Sequence, residues 1–112
     1  MNENIMQQPT MTVDKHDNKI WRLNGKHHRE DGPAIEGKNG DKAWCLHGEL
    51  HREDGSAVEY TDGNKAWYLH GNWYENAFEW AIALLKLKGN KKPSENDIND
   101  VVQQATSASI LD

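Results

Sequence analysis

The stretch from Lys19 to Asp41 recurs from Lys42 to Asn64 without a gap, with 12 of 23 positions identical. The shared residues include Trp21, Leu23 and Gly25 against Trp44, Leu46 and Gly48, then His28 to Gly32 against His51 to Gly55. A third copy opens at Lys65 with Trp67, Leu69 and Gly71, and departs from the pattern at Tyr74. One period upstream, Met11 to Asn18 reads as the closing strand of a truncated copy. A unit this short cannot bury a core of its own, so the copies must stack on one another.

Each copy reads as a β-hairpin. Trp-x-Leu alternates between faces, and Asn24-Gly25, His47-Gly48 and His70-Gly71 follow as turns, Asn-Gly being the strongest short hairpin signal. Asn24, His47 and His70 are residue types that tolerate positive φ. A second turn at Asn39-Gly40 or Asp62-Gly63 leads into the next copy. Equivalent residues then sit two strands apart, roughly 10 Å, so Trp21, Trp44 and Trp67 form a row. With Leu23, Leu46, Leu69, Gly25, Gly48 and Gly71 they make the expected structural core. Arg22, Cys45 and Tyr68 share a column on the opposite, exposed face.

Composition narrows the classes. The chain has 112 residues, a net charge of −5, 36% apolar residues and a mean hydropathy of −0.97. One compact domain is the ceiling. The longest apolar run, Trp80 to Leu85, has six residues against the ~20 of a membrane span. Met1 to Met11 lacks the apolar stretch of a signal peptide. No segment forms a basic stripe, which disfavours nucleic acid. Cys45 is the single cysteine, so a disulfide framework and a cysteine-built zinc site are excluded, and a reducing, cytoplasmic location follows.

The last third reads as helical. Asn76 caps a helix from Ala77 to Lys88, with Glu79 in capping-box position and Gly89 as the stop. Phe78, Ile82 and Leu85 form one apolar line, and Trp80, Leu84 and Leu87 another. With both lines apolar the helix should be buried over more than one side: one line caps the open end of the sheet, and the sharper alternative has the other line meet a partner. Ser94 caps a second helix ending at Ala105. The expected organisation is a flexible N-terminus (1–10), a hairpin repeat sheet (11–74), a helical cap (75–105) and a flexible tail (106–112). The fold class is α+β: a single-layer antiparallel meander of five to six strands capped by two helices.

The rows His28 to Asp31 and His51 to Asp54 are the candidate reactive constellation. As a metal site they fail on spacing, because equivalent histidines lie roughly 10 Å apart and strand neighbours point to opposite faces. As a general acid and base they lack a deep concave pocket, which a single-layer sheet does not offer. Repetition itself argues for architecture, with Arg29 and Arg52 paired to carboxylates of their own or a neighbouring copy. No catalytic residue, metal or cofactor is expected. Arg22, Tyr68, Arg29, Arg52, His28, His51, Trp73 and Tyr74 are the candidates for contact with a protein partner, and open strand edges offer a second route.

Period and residues together resemble MORN-type repeats, 23 residues long and built as single-layer antiparallel sheets. The closer resemblance is to the His-Arg-Glu-Asp-Gly-Pro-Ala variant, common in small proteins of large tailed phages and some bacteria. It covers residues 12–74. It implies a non-catalytic binding platform, a small phage accessory protein that binds a bacterial host protein and inhibits or redirects it, in host takeover or anti-defence. Low apolar content, a one-layer sheet and open edges also point to a homodimer. The alternatives in function are a structural, self-assembling repeat protein and a sponge in which Arg29 and Arg52 hold a nucleotide signal.

Overall fold

The structure, a computed structural model, describes residues 7–111, with side chains described through 106. Met1 to Met6 and Asp112, where parts of both expected flexible ends fall, lie outside the described residues. The chain is α+β, an antiparallel sheet of many strands followed by two helices near the C-terminus.

The strands are β1 (Thr10–Val13), β2 (Lys19–Leu23), β3 (Lys26–His27), β4 (Ile35–Glu36) and β5 (Lys42–Ala43). They continue as β6 (Cys45–Leu46), β7 (Glu49–Leu50), β8 (Val58–Glu59), β9 (Lys65–Leu69) and β10 (Asn72–Tyr74). The principal sheet has the order β1-β2-β4-β5-β8-β9-β10, with β3 paired to β2, while β6 and β7 pair separately. Ten short strands thus replace the five or six expected, because the motif rows part β3 from β4 and β7 from β8, and Trp44 parts β5 from β6.

Two cross-strand rows fix the register. On one face Lys19, Glu36, Lys42, Glu59 and Lys65 stand opposite one another in alternating charge. On the other run Ile20, Ile35, Ala43, Val58 and Ala66. Opposite charges and apolar pairs each favour this pairing, and a slip by one residue would mix the rows. The hairpin turns need two consecutive positive φ values. Asn24, His47 and His70 take φ of 52°, 50° and 48°, and the glycine after each takes 79°, 84° and 79°.

Helix α1 (Ala77–Leu87) starts as its sequence dictates, with Glu79 N–H donating to the Asn76 side chain at 2.9 Å. Helix α2 (Glu95–Leu111) runs on beyond Ala105, where the sequence reading ended it; nothing breaks the helix there, since residues 106–111 contain neither Gly nor Pro. The main core lies where the third copy meets the helices: Trp67, Leu69, Trp80, Ala81, Leu84 and Ala105 are buried together. Of α1's two apolar lines, Trp80 and Leu84 turn inward while Phe78 and Leu87 remain exposed.

The Arg22–Cys45–Tyr68 column needs correction as an exposed face. Cys45 is buried and Tyr68 half-buried, whereas Arg22 is exposed. The cause is a neighbour from the preceding copy: Arg29 N–H donates to Cys45 O at 3.1 Å, and Arg52 N–H to Tyr68 O at 3.4 Å. Arg22 has only β1 upstream of it.

Candidate functional site

The two His-Arg-Glu-Asp rows follow β3 and β7, and the structure gives each residue a defined place. His28 and His51, 2% and 4% exposed, turn inward. His28 Nδ1 accepts the backbone N–H of His47 at 2.9 Å, and His51 Nδ1 accepts that of His70 at 2.8 Å. The ring nitrogen on the other side, Nε2, meets Glu30 at 3.4 Å and Glu53 at 3.0 Å. Each imidazole thus fastens its own copy to the turn of the next. The turn residues lie over them, with ring centroids 4.4 Å apart for His28–His47 and 4.1 Å for His51–His70.

The arginines are held on several sides. Arg29 lies 3.9 Å over the Trp21 ring and Arg52 3.7 Å over Trp44, both within cation–π range. Arg29 donates to Asp31, to Pro33 O and to Glu36. Arg52 donates to Asp54, Ser56 O and Glu59. Gly32 and Gly55 follow from this: a Cβ on either would come within 2.9 Å of its guanidinium carbon. Ala34 and Ala57 are wholly buried, each with its N–H bonded to the following strand. Every guanidinium and imidazole of the motif is therefore engaged within the chain.

An open groove of about 710 Å³ separates the two rows, floored by Trp44 and Leu46 and edged by Glu30, Asp31, Asp54 and Lys88. Lys88 Nζ sits 2.9 Å from Glu53. Its hydrogen bond, followed by that of His51, holds the Glu53 carboxyl below the usual glutamate range. Burial pushes the Cys45 thiol up, away from the thiolate a nucleophile needs. Among the described residues no three His, Cys, Asp or Glu side chains converge to hold a metal ion, and no helix is long and apolar enough to cross a membrane.

The remaining candidates scatter. Trp73 is 60% exposed, while Tyr74 packs against the core on the other side of β10. Arg22 is exposed, but Arg29, Arg52 and Tyr68 are half-buried. His28 and His51 do not offer their rings to a partner, which corrects that expectation; the hydrogen bonds to the next copy draw them inside. In the expected core row, Trp67 and Leu69 are buried, whereas Trp21, Trp44, Leu23 and Leu46 are half-buried.

A second fastening escaped the sequence reading. At the opposite end of the strands, Asn18 Oδ1 accepts Lys38 N–H at 3.0 Å and Asp41 Oδ1 accepts Thr61 N–H at 2.9 Å. The amide of Thr61 is also the main reason the Asp41 carboxyl lies below the usual aspartate range. The recurrence of Asn18, Asp41 and Asn64 at one place in the period was the available signal.

Comparison with protein-family models, with curated proteins and with solved structures found no match for this chain.

Proposed function

We propose that the chain is a non-catalytic protein-binding module on a MORN-like, single-layer repeat meander. In this reading it is a small phage accessory protein that binds a bacterial host protein and inhibits or redirects it. The phage setting comes from the family resemblance alone. One observation carries the molecular part: the reactive-looking residues of both rows are bonded within the chain, whereas large apolar side chains face solvent. Trp73, Phe78 and Leu87 are 60%, 47% and 59% exposed around the last hairpin and first helix. Exposed aromatic residues on a rigid frame are what protein recognition uses.

The arginines also weigh against a nucleotide sponge, because Nε and Nη1 of Arg29 and Arg52 are already committed to two carboxylates and a carbonyl each, which a phosphate would have to compete with for the guanidinium charge. The test is affinity capture from bacterial lysate with the full chain and with Trp73→Ser. The reading expects one protein retained at stoichiometric level and lost with the variant. Retention unchanged by Trp73→Ser would move the interface elsewhere, and a small molecule released on denaturation would favour the sponge. Self-association alone would favour a structural role.

A further inference from the structure

We propose that the outer edge of β1 pairs with β1 of a second copy of the chain, joining two sheets about a two-fold axis at Thr12. This goes beyond the binding-module reading, since either can hold without the other. The principal sheet has β1 at one edge, and among the described residues no strand lies on its outer side. The sheet itself shows what the outer side of such a strand does. β4, one period later, faces β2 through Ala34 and Glu36, with Trp21 N–H donating to Ala34 O at 2.8 Å. The equivalents of Ala34 and Glu36 on β1 are Met11 and Val13.

The hydrogen-bond phase agrees. Asp14 N–H donates inward to Asn18 O at 3.0 Å, so in an antiparallel ladder Val13 and Met11 turn their backbone groups away from β2. Three registers could join two such edges. Centred on Met11, the pairing sets Val13 against Pro9, which has no N–H to give. Centred on Val13, it runs into the turn that begins at Asp14. Centred on Thr12, Met11 and Val13 of each copy exchange hydrogen bonds and also meet side by side. They are 44% and 55% exposed.

The occupant follows from what the edge lacks. Natural sheets guard free edges with charge, proline or a bulge. Thr10 to Val13 has none of these: it is uncharged, regular in register with β2 and exposed at all four positions. A two-fold pairing at Thr12 extends the same ladder by which β4 meets β2, and the charge nearest the axis is Arg22, whose guanidinium lies 3.5 Å from the Thr12 hydroxyl of its own copy. The contact is small, so the dimer is weak, with a Kd of about 100 μM.

Sedimentation velocity of the full chain from about 10 μM to 1 mM tests this. The expected result is a shift from the 12.8 kDa monomer towards twice that mass. Val13→Pro deletes an outward N–H and spares the β1–β2 bonds, so it should stay monomeric throughout. Thr12→Lys opposes two ammonium groups at the axis; its dimerisation should weaken at low salt and recover at high salt. Circular dichroism verifies that both variants are folded. A wild-type chain still monomeric at 1 mM overturns the proposal, as does a dimer that survives both variants. Slow exchange of the Val13 amide at monomeric concentration would also overturn it, by giving the edge to the chain's own first residues.

Discussion

Trp80 lies against Trp67 with ring centroids 4.9 Å apart, in the copy that has Glu75 where the others have an arginine. Its indole N–H donates to Arg52 O at 3.2 Å, tying the helix to the second row as well. The third tryptophan thus receives a ring in place of a guanidinium, and the helix closes the array there.

Trp80→Ala should therefore lower stability by about 3–5 kcal/mol, since the side chain is wholly buried. Trp80→Phe keeps much of the packing and loses the indole bond, at a smaller cost of about 1–2 kcal/mol. Urea unfolding followed by far-ultraviolet circular dichroism gives both values.

Ser56 stands where the first copy has Pro33, and its hydroxyl is buried with no hydrogen-bond partner among the described residues. Ser56→Pro should raise stability by about 1 kcal/mol, removing an unsatisfied group and stiffening the unfolded chain. Proline already occupies the equivalent position in the first copy. A fall in the unfolding midpoint would show that the second copy's backbone differs there.

Arg52→Ala should cost about 1–3 kcal/mol through its charge-assisted bonds, and Arg52→Lys should recover little of it. An ammonium cannot lie flat on Trp44 while meeting Asp54, Ser56 O and Glu59. Equal stability of wild type and the lysine variant would rule out this role for the guanidinium plane.

His28 and His51 accept an amide at Nδ1, so both must carry their proton at Nε2, where they donate to Glu30 and Glu53. Long-range nitrogen-15 NMR reads the tautomer directly. A proton at Nδ1 in either ring would break the assigned link to the next copy.

Glu53 provides the pH test. Its carboxyl lies below the ordinary value of 4.5 in the folded chain, first because of Lys88 and then His51. A group lowered by folding adds stability above its unfolded value and loses it as pH falls through the folded one. Lys88→Gln removes the leading cause. The variant should be less stable than wild type near neutrality, with the gap narrowing as the solution is acidified through the carboxylate range. A gap that widens in acid would contradict the assignment.

Local chemistry was legible and distant pairing was not. Asn24-Gly25 and its equivalents announce their turns because φ preference is a property of one residue, and Asn76 with Glu79 announces a helix start for the same reason. The inward turn of His28 and His51 depends on amides 19 residues away, which hairpin alternation does not register. Cys45 was misplaced for a similar reason, since the segment over it comes from the preceding copy. The Asn18 and Asp41 links needed three turns to be compared side by side.

Those links and the histidine links span 20 and 19 residues, just inside one period. Duplicating or deleting one whole copy leaves every surviving junction with both of its partners. An insertion of any other length between a donor and its acceptor must loop out of the sheet for the two to stay together. Adding or removing a whole copy is therefore the change in length that keeps every junction intact, and it alters the breadth of the sheet by one repeat at a time.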